Sequence, residues 1–158
     1  MIPLRLTTPS DTQVRTERGF KAPRSLVWRA FSEPELVKQW LTGPEGHTMP
    51  GCEIDFREGG SWRYTWLTPI DPMVAFGTFK TITPETLIVH TETFELFPNG
   101  TSIVETEFFE AGDETIVIMT INCNDKATRD AIVMSGMDQG LEASYRNLDR
   151  LVLEDQHA

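Results

Sequence analysis

Between residues 125 and 153 apolar side chains return every three or four positions, although two glycines, Gly136 and Gly140, stand inside the run. Met134, Met137, Leu141, Tyr145, Leu148 and Val152 share one face at helical spacing, so the segment predicts one long amphipathic helix. Two interior glycines cost such a helix about 2 kcal/mol relative to alanines. Burying six side chains of this kind returns on the order of 9 to 15 kcal/mol as an upper bound. The helix is therefore expected to lie against something broad, and a curved sheet is the natural partner. A glycine pair at this spacing also strips side chains from one face, leaving a shallow groove that a ligand or a second backbone can approach.

The chain ahead of this helix supplies the sheet. Residues 13–20 alternate as a first strand, ended by Pro23. A short helix over 25–31 gathers Leu26, Val27, Ala30 and Phe31 on one side. The run Ser32-Glu33-Pro34-Glu35 reads as a capping box that opens a second helix over 32–41, with the Ser32 hydroxyl accepting from the backbone of Glu35. That helix presents Leu36, Val37 and Trp40 and stops at Gly43-Pro44. Strands are expected over 52–58, 61–67, 73–82, 86–94, 101–110 and 114–123, broken by Gly59-Gly60, Pro84-Glu85, Asn99-Gly100 and Ala111-Gly112-Asp113. Strands linked this closely pair as antiparallel neighbours. The expected fold class is α+β: a curved antiparallel sheet of about seven strands around a long C-terminal helix, with two short helices after strand one closing an end. A concave sheet touching a straight helix at its middle leaves a cavity between the two.

Composition narrows the function classes. The 158 residues suit one domain, long enough to bury roughly 70% of the surface of the unfolded chain. Residues 1–12 read as a flexible arm, 13–154 as the single domain and 155–158 as a fraying tail. A net charge of −10 leaves no basic footprint, so neither nucleic acid nor an anionic membrane is an expected partner. No secretory leader or membrane-length apolar run is present, and the expected location is cytoplasmic. Cys52 and Cys123 are far apart and form no CxxC, so both are expected as reduced thiols. Exposed sheet edges would allow a homodimer, which the acidic surface opposes.

The residues with chemical potential cluster on the strands. Trp62, Tyr64 and Trp66 share a face by strand parity, Trp66 being placed at the sheet edge outside any pocket. With Trp40, Phe76, Phe79, His90, Phe108, Met134, Met137 and Leu141 they form the candidate ligand-binding set, because pockets for apolar or aromatic molecules are built from such walls. The bland alternative is that these side chains are simply core. His90 shares its strand face with Glu92, an arrangement open to general-base chemistry, although a strand histidine more often faces solvent or makes a structural hydrogen bond. Glu105 and Glu107 alternate with Val104, Thr106 and Phe108, the pattern of a solvated outer face, which could also dock a basic partner. The three scattered histidines suggest no metal site, no phosphate or dinucleotide loop implies a cofactor, and Ser135 has no evident base.

The ordered segments Phe20-Lys21-Ala22-Pro23, Val27-Trp28-Arg29-Ala30-Phe31, Pro34-Glu35-Leu36-Val37-Lys38-Gln39-Trp40, Asp55-Phe56-Arg57-Glu58-Gly59-Gly60-Ser61-Trp62-Arg63-Tyr64, Gly77-Thr78-Phe79, Pro84-Glu85-Thr86-Leu87 and Gly136-Met137-Asp138-Gln139-Gly140 resemble a known family. It is the family named for the activator of heat-shock protein 90 ATPase, within the SRPBCC or START-like superfamily of helix-grip proteins, and the likeness spans about residues 14–153. The family often sets a tryptophan pair directly before Gly-Pro, whereas here Leu41-Thr42 separate Trp40 from Gly43-Pro44, at the expected cavity mouth. The resemblance implies a helix-grip fold and carries over no catalytic residue, since the family shares none. Three functions follow as expectations. The first is binding of a hydrophobic or aromatic small molecule. The second is a chaperone-interacting module, although the eukaryotic activators engage their partner through an additional N-terminal domain for which this chain has no room. The third is a polyketide cyclase-like cavity enzyme, for which His90, Tyr64 or Arg63 would have to point inward.

Overall fold

A computed structural model describes the backbone of residues 2–157 and the side chains of residues 2–154. In chain order the elements are β1 (Arg5–Ser10), β2 (Gln13–Phe20), α1 (Arg24–Ser32), α2 (Pro34–Trp40), β3 (Thr48–Ile54), β4 (Ser61–Leu67), β5 (Met73–Thr83), β6 (Leu87–Phe94), β7 (Ser102–Ala111), β8 (Glu114–Asn122), α3 (Lys126–Met134) and α4 (Met137–His157). The strands form one antiparallel sheet in the order β1-β2-β8-β7-β6-β5-β4-β3. From β3 to β8 each strand pairs with the next, and β2 adds beside β8 in continuous register from Gln13↔Asn122 to Phe20↔Thr115. Inward residues of β2, Val14, Thr16, Arg18 and Phe20, are all buried and meet α4 or the sheet interior.

The core explains the grip. Tyr145, Leu148 and Val152 of α4 are buried with Phe20, Val27, Ala30, Trp40, Trp62 and Phe108. The Tyr145 ring stands edge-on to Phe20 at 5.0 Å, and Phe31 stands edge-on to Phe108 at 5.2 Å. Such crossed ring pairs add about 0.5–1.5 kcal/mol each beyond area burial. A second cluster, Val14, Val104, Ile121 and Cys123, receives Leu6, Ile132, Val133 and Met137.

Five local expectations change. The strand expected over 52–58 runs instead as β3 over Thr48–Ile54 and leaves 55–60 as the turn into β4. The arm contributes an eighth strand: β1 pairs with β2 through Arg5↔Glu17 and Leu6↔Thr16. Its threonines favour extended backbone, Pro9 sits on an edge where no donor is needed, and the Arg129 guanidinium of α3 donates to the Ser10 carbonyl at 2.7 Å. The capping box does not form. Ser32 closes α1, donating to the Trp28 carbonyl at 2.9 Å, and α2 is led by Glu33 and Pro34 without a side-chain cap. The long helix is two helices, since Gly136 takes φ +79° and ends α3 in the left-handed region. Finally α4 runs on through His157 into the expected tail, the side chains of residues 155–158 lying outside those described.

Candidate functional site

A cavity of about 350 Å³ lies between the sheet and the first half of α4. Trp62, Tyr64 and Trp66 of β4 form one continuous wall, with ring centroids 4.6 and 5.8 Å apart. The wall follows from strand parity, which puts every second side chain of β4 on the concave face. Next to it on β5, Trp62 pairs with Gly77 and Tyr64 with Ala75, small floor residues that the wall covers, the Trp62 indole lying across Gly77 to reach the Thr91 carbonyl. A Cβ at Gly77 would come within 1.8 Å of the Thr91 carbonyl oxygen, which fixes glycine at this position. Across that floor stand His90 and Glu92 of β6, both lining the cavity. Met137, Gly140, Leu141, Ser144 and Tyr145 of α4 form the roof, and Thr42, Gly43, Pro44 and His47 reach in from the α2–β3 loop.

Hydrogen bonds hold this frame rigid. The indole N–H of Trp40 donates to the Ala30 carbonyl at 2.8 Å, that of Trp62 to Thr91 at 3.1 Å and that of Trp66 to Leu41 at 2.8 Å. The loop is tied to α4 where Gly43 N–H donates to the Ser144 hydroxyl at 2.9 Å and Asn147 donates to the Thr42 hydroxyl at 3.0 Å. Leu41 and Thr42, the two residues that depart from the family pattern, therefore build the mouth themselves.

Loss of water strongly shifts Glu92, His90 and Tyr64 in the cavity. Burial pushes the Glu92 carboxyl up to about 7 and the His90 imidazole down to about 4, so both tend to their neutral forms. Burial also raises the Tyr64 phenol, with smaller contributions from Cys52 and Glu92. Cys52, beside it on β3, is raised to about 11 by burial and is no activated nucleophile. Glu92 makes no hydrogen bond or ion pair with the described residues, and the buried Nδ1 atoms of His90 and His47 lack partners. His90 meets Trp62 edge-on at 5.4 Å.

Of the candidate set, Trp40, Trp62, Tyr64, Phe79, His90, Met137 and Leu141 line the cavity. Three do not. Phe76 has the opposite parity to Ala75 and Phe79, pairs with Arg63 and points to the convex side. Phe108 points inward but packs beneath α1, edge-on to Trp28 at 5.1 Å, in the core rather than the cavity. Met134 precedes the break at Gly136 and is 86% exposed. Trp66, expected outside any pocket, is part of the wall. Arg63 faces away, donating to Glu95 at 3.0 Å, and the Ser135 hydroxyl is tied to the Ile132 carbonyl at 2.6 Å. On sequence grounds Glu92 pairs with His90 as a possible base but stays outside the ligand-binding set, together with the loop residues Thr42, Gly43, Pro44 and His47. Parity with Ile88, His90 and Phe94 was the signal for Glu92. Among the described residues no three His, Cys, Asp or Glu side chains gather to hold a metal ion, and no helix is long and apolar enough to cross a membrane.

The profile of the family described as Activator of Hsp90 ATPase homolog 1-like protein matches residues 21–153. The chain belongs to that family. Solved structures share the fold. A crystal structure from Rhodobacter sphaeroides is 24% identical, with a TM-score of 0.90, covering 96% of this chain and 99% of that one. A Nitrosomonas europaea protein is 20% identical at TM-score 0.84, covering 94% and 99% of the two chains. A solution structure described as an AHSA1-like protein from Aeromonas hydrophila is 16% identical at TM-score 0.71, covering 88% and 93%. At these identities the likeness is one of fold. No curated protein matches the sequence.

Proposed function

We propose that this Activator of Hsp90 ATPase homolog 1-like protein binds a hydrophobic or aromatic small molecule in the cavity between β4–β6 and α4. The observation that carries the reading is a rigid aromatic wall whose indole N–H groups are already satisfied by backbone, enclosing about 350 Å³ lined mainly by apolar side chains. Core packing alone would close such a space, because interiors approach crystal density and voids of this size are costly. Native mass spectrometry of the purified protein, before and after denaturing extraction, tests it. A small apolar species is expected to be retained and to be lost in Gly140→Phe, whose ring would enter the cavity from α4. Equal retention by a folded Gly140→Phe would overturn the assignment.

One observation favours a second reading, docking to a chaperone. Ile70, Leu96 and Phe97 are exposed on the β4–β5 and β6–β7 loops, which are neighbours through the Glu95 N–H to Val74 carbonyl bond of 2.9 Å. Apolar loop tips of this kind mark contact surfaces. Chaperone capture that fails in Phe97→Ser would support it.

A further inference from the structure

The cavity lining contains one carboxyl, Glu92, and neither lysine nor arginine. Its aromatic wall offers ring faces, which carry negative potential, while the indole N–H groups that could donate are occupied. Apart from neutral hydroxyls such as those of Tyr64 and Thr106, the polar group left without a partner and open to the cavity is an acceptor, the Glu92 carboxyl, while the unpaired Nδ1 of His90 is buried. The wall adjoins these groups directly, Trp62 meeting His90 at 5.4 Å between ring centroids, so a ligand in the cavity touches both. An anion would meet no cation there. A pure hydrocarbon would leave the carboxyl and the imidazole neither solvated nor paired, which costs free energy.

We propose that the ligand is an amine: a one- or two-ring apolar molecule whose protonated nitrogen donates to the Glu92 carboxylate and rests against the Trp62, Tyr64 and Trp66 rings. The inference rests on the ligand-binding reading above and names the chemical class that reading leaves open. A cation supplies both the charge that ionises Glu92 and the donors that its unpaired carboxylate lacks. Around 350 Å³ holds on the order of a dozen water volumes at ~30 Å³ each, the size of such a molecule.

The pH dependence has a definite sign. The groups facing Glu92 are His90 on its own strand, Tyr64 on β4, His47 on the α2–β3 loop and Tyr145 on α4, while β7 and β8 present Val104, Thr106, Met119 and Ile121. Burial holds His90 in its neutral form near neutrality, so the neighbour on the same strand supplies no positive charge. Glu92 in the empty cavity is partly protonated near pH 7, so amine binding expels its proton and tightens as pH rises from about 6 to about 8. An uncharged ligand gains nothing from that ionisation.

Calorimetric titration with phenethylamine, phenethyl alcohol and hydrocinnamate, three molecules of one shape and different charge, tests the proposal. The amine is expected to bind about tenfold tighter than the alcohol, with hydrocinnamate weakest, and Glu92→Gln to cost the amine about tenfold. If Glu92→Gln does not fold, the rise of the amine-to-alcohol affinity ratio with pH in the unaltered protein decides the matter. Alcohol binding without a preference for the amine overturns the amine and leaves the cavity reading intact. Binding by none of the three overturns both.

Discussion

Arg18 is the single side chain whose removal should cost most. It is 4% exposed, yet its guanidinium holds Glu142 at 2.8 Å and Asp149 at 2.7 Å, and it stacks over Phe20 at 4.9 Å. Burial alone would lower its pKa, but hydrogen bonds to Asp149 and Glu142 outweigh that and raise it. Arg18→Met should destabilise the fold by about 3 kcal/mol, the low end of the range for breaking a buried pair because both carboxylates keep some contact with water. Arg18→Lys should recover only part of this, since an ammonium cannot match the two-pronged contact with Asp149. Urea unfolding checks both. Glu92 works against stability in the opposite pH direction from an ordinary paired carboxylate. The unfolded chain releases this proton near 4.5 and the native protein near 7, so between those values the native state holds more protons and stability falls as pH rises. His90 loses stability as pH falls from 6.5 toward 4, because the unfolded state takes up its proton first. The stabilising effect of Glu92→Gln should therefore grow from about pH 4.5 to about 7 and level off above, and a pH-independent difference in unfolding midpoints would refute this account. The strand parity that places Trp62, Tyr64, His90 and Glu92 together was readable from alternation alone. That Phe76 points away was equally readable, but aromatic character was weighed above the parity set by Ala75 and Phe79. The tie between Arg18 and α4 was not readable, because nothing in a strand sequence says which distant carboxylates it will meet.

At the scale of elements, the two glycines of the C-terminal segment do different work. Gly136 needs its positive φ, with nothing closer than the Gln139 side chain at 4.0 Å, so Gly136→Ala should cost about 1 kcal/mol through backbone conformation alone. Gly140 is ordinary helix, and a Cβ there would meet Pro44 at a comfortable 3.8 Å. Gly140→Ala should raise stability by up to about 1 kcal/mol. Opposite shifts in the thermal midpoints of the two variants would verify the break, and equal shifts would argue for one continuous helix. The apolar period hid this break, because Met134 and Met137 stand three apart whether or not the chain turns between them. Strand β1 was hidden for another reason: a polar edge strand with Pro9 shows no alternation, and only pairing with β2 and the bond from Arg129 give it a place.

For the molecule as a whole, the helix-grip arrangement was legible because six strands, their turns and the helix face all pointed to one architecture. The cavity was legible only as a consequence of curvature, and its mouth depended on the Leu41-Thr42 pair, whose partners lie 25 residues away on β4 and 105 residues away on α4. The Arg18 clamp then has a mechanical meaning. It fastens α4 beside Tyr145, Leu148 and Val152, whereas Met137, Gly140 and Leu141 follow directly on the Gly136 break and on α3, which has no buried residue. The helix is thus held from Glu142 to Val152, and its free end is the first turn, Met137 to Leu141, which roofs part of the cavity. Guests of different girth can be met by flexing that free end, with the sheet and its aromatic wall left undisturbed.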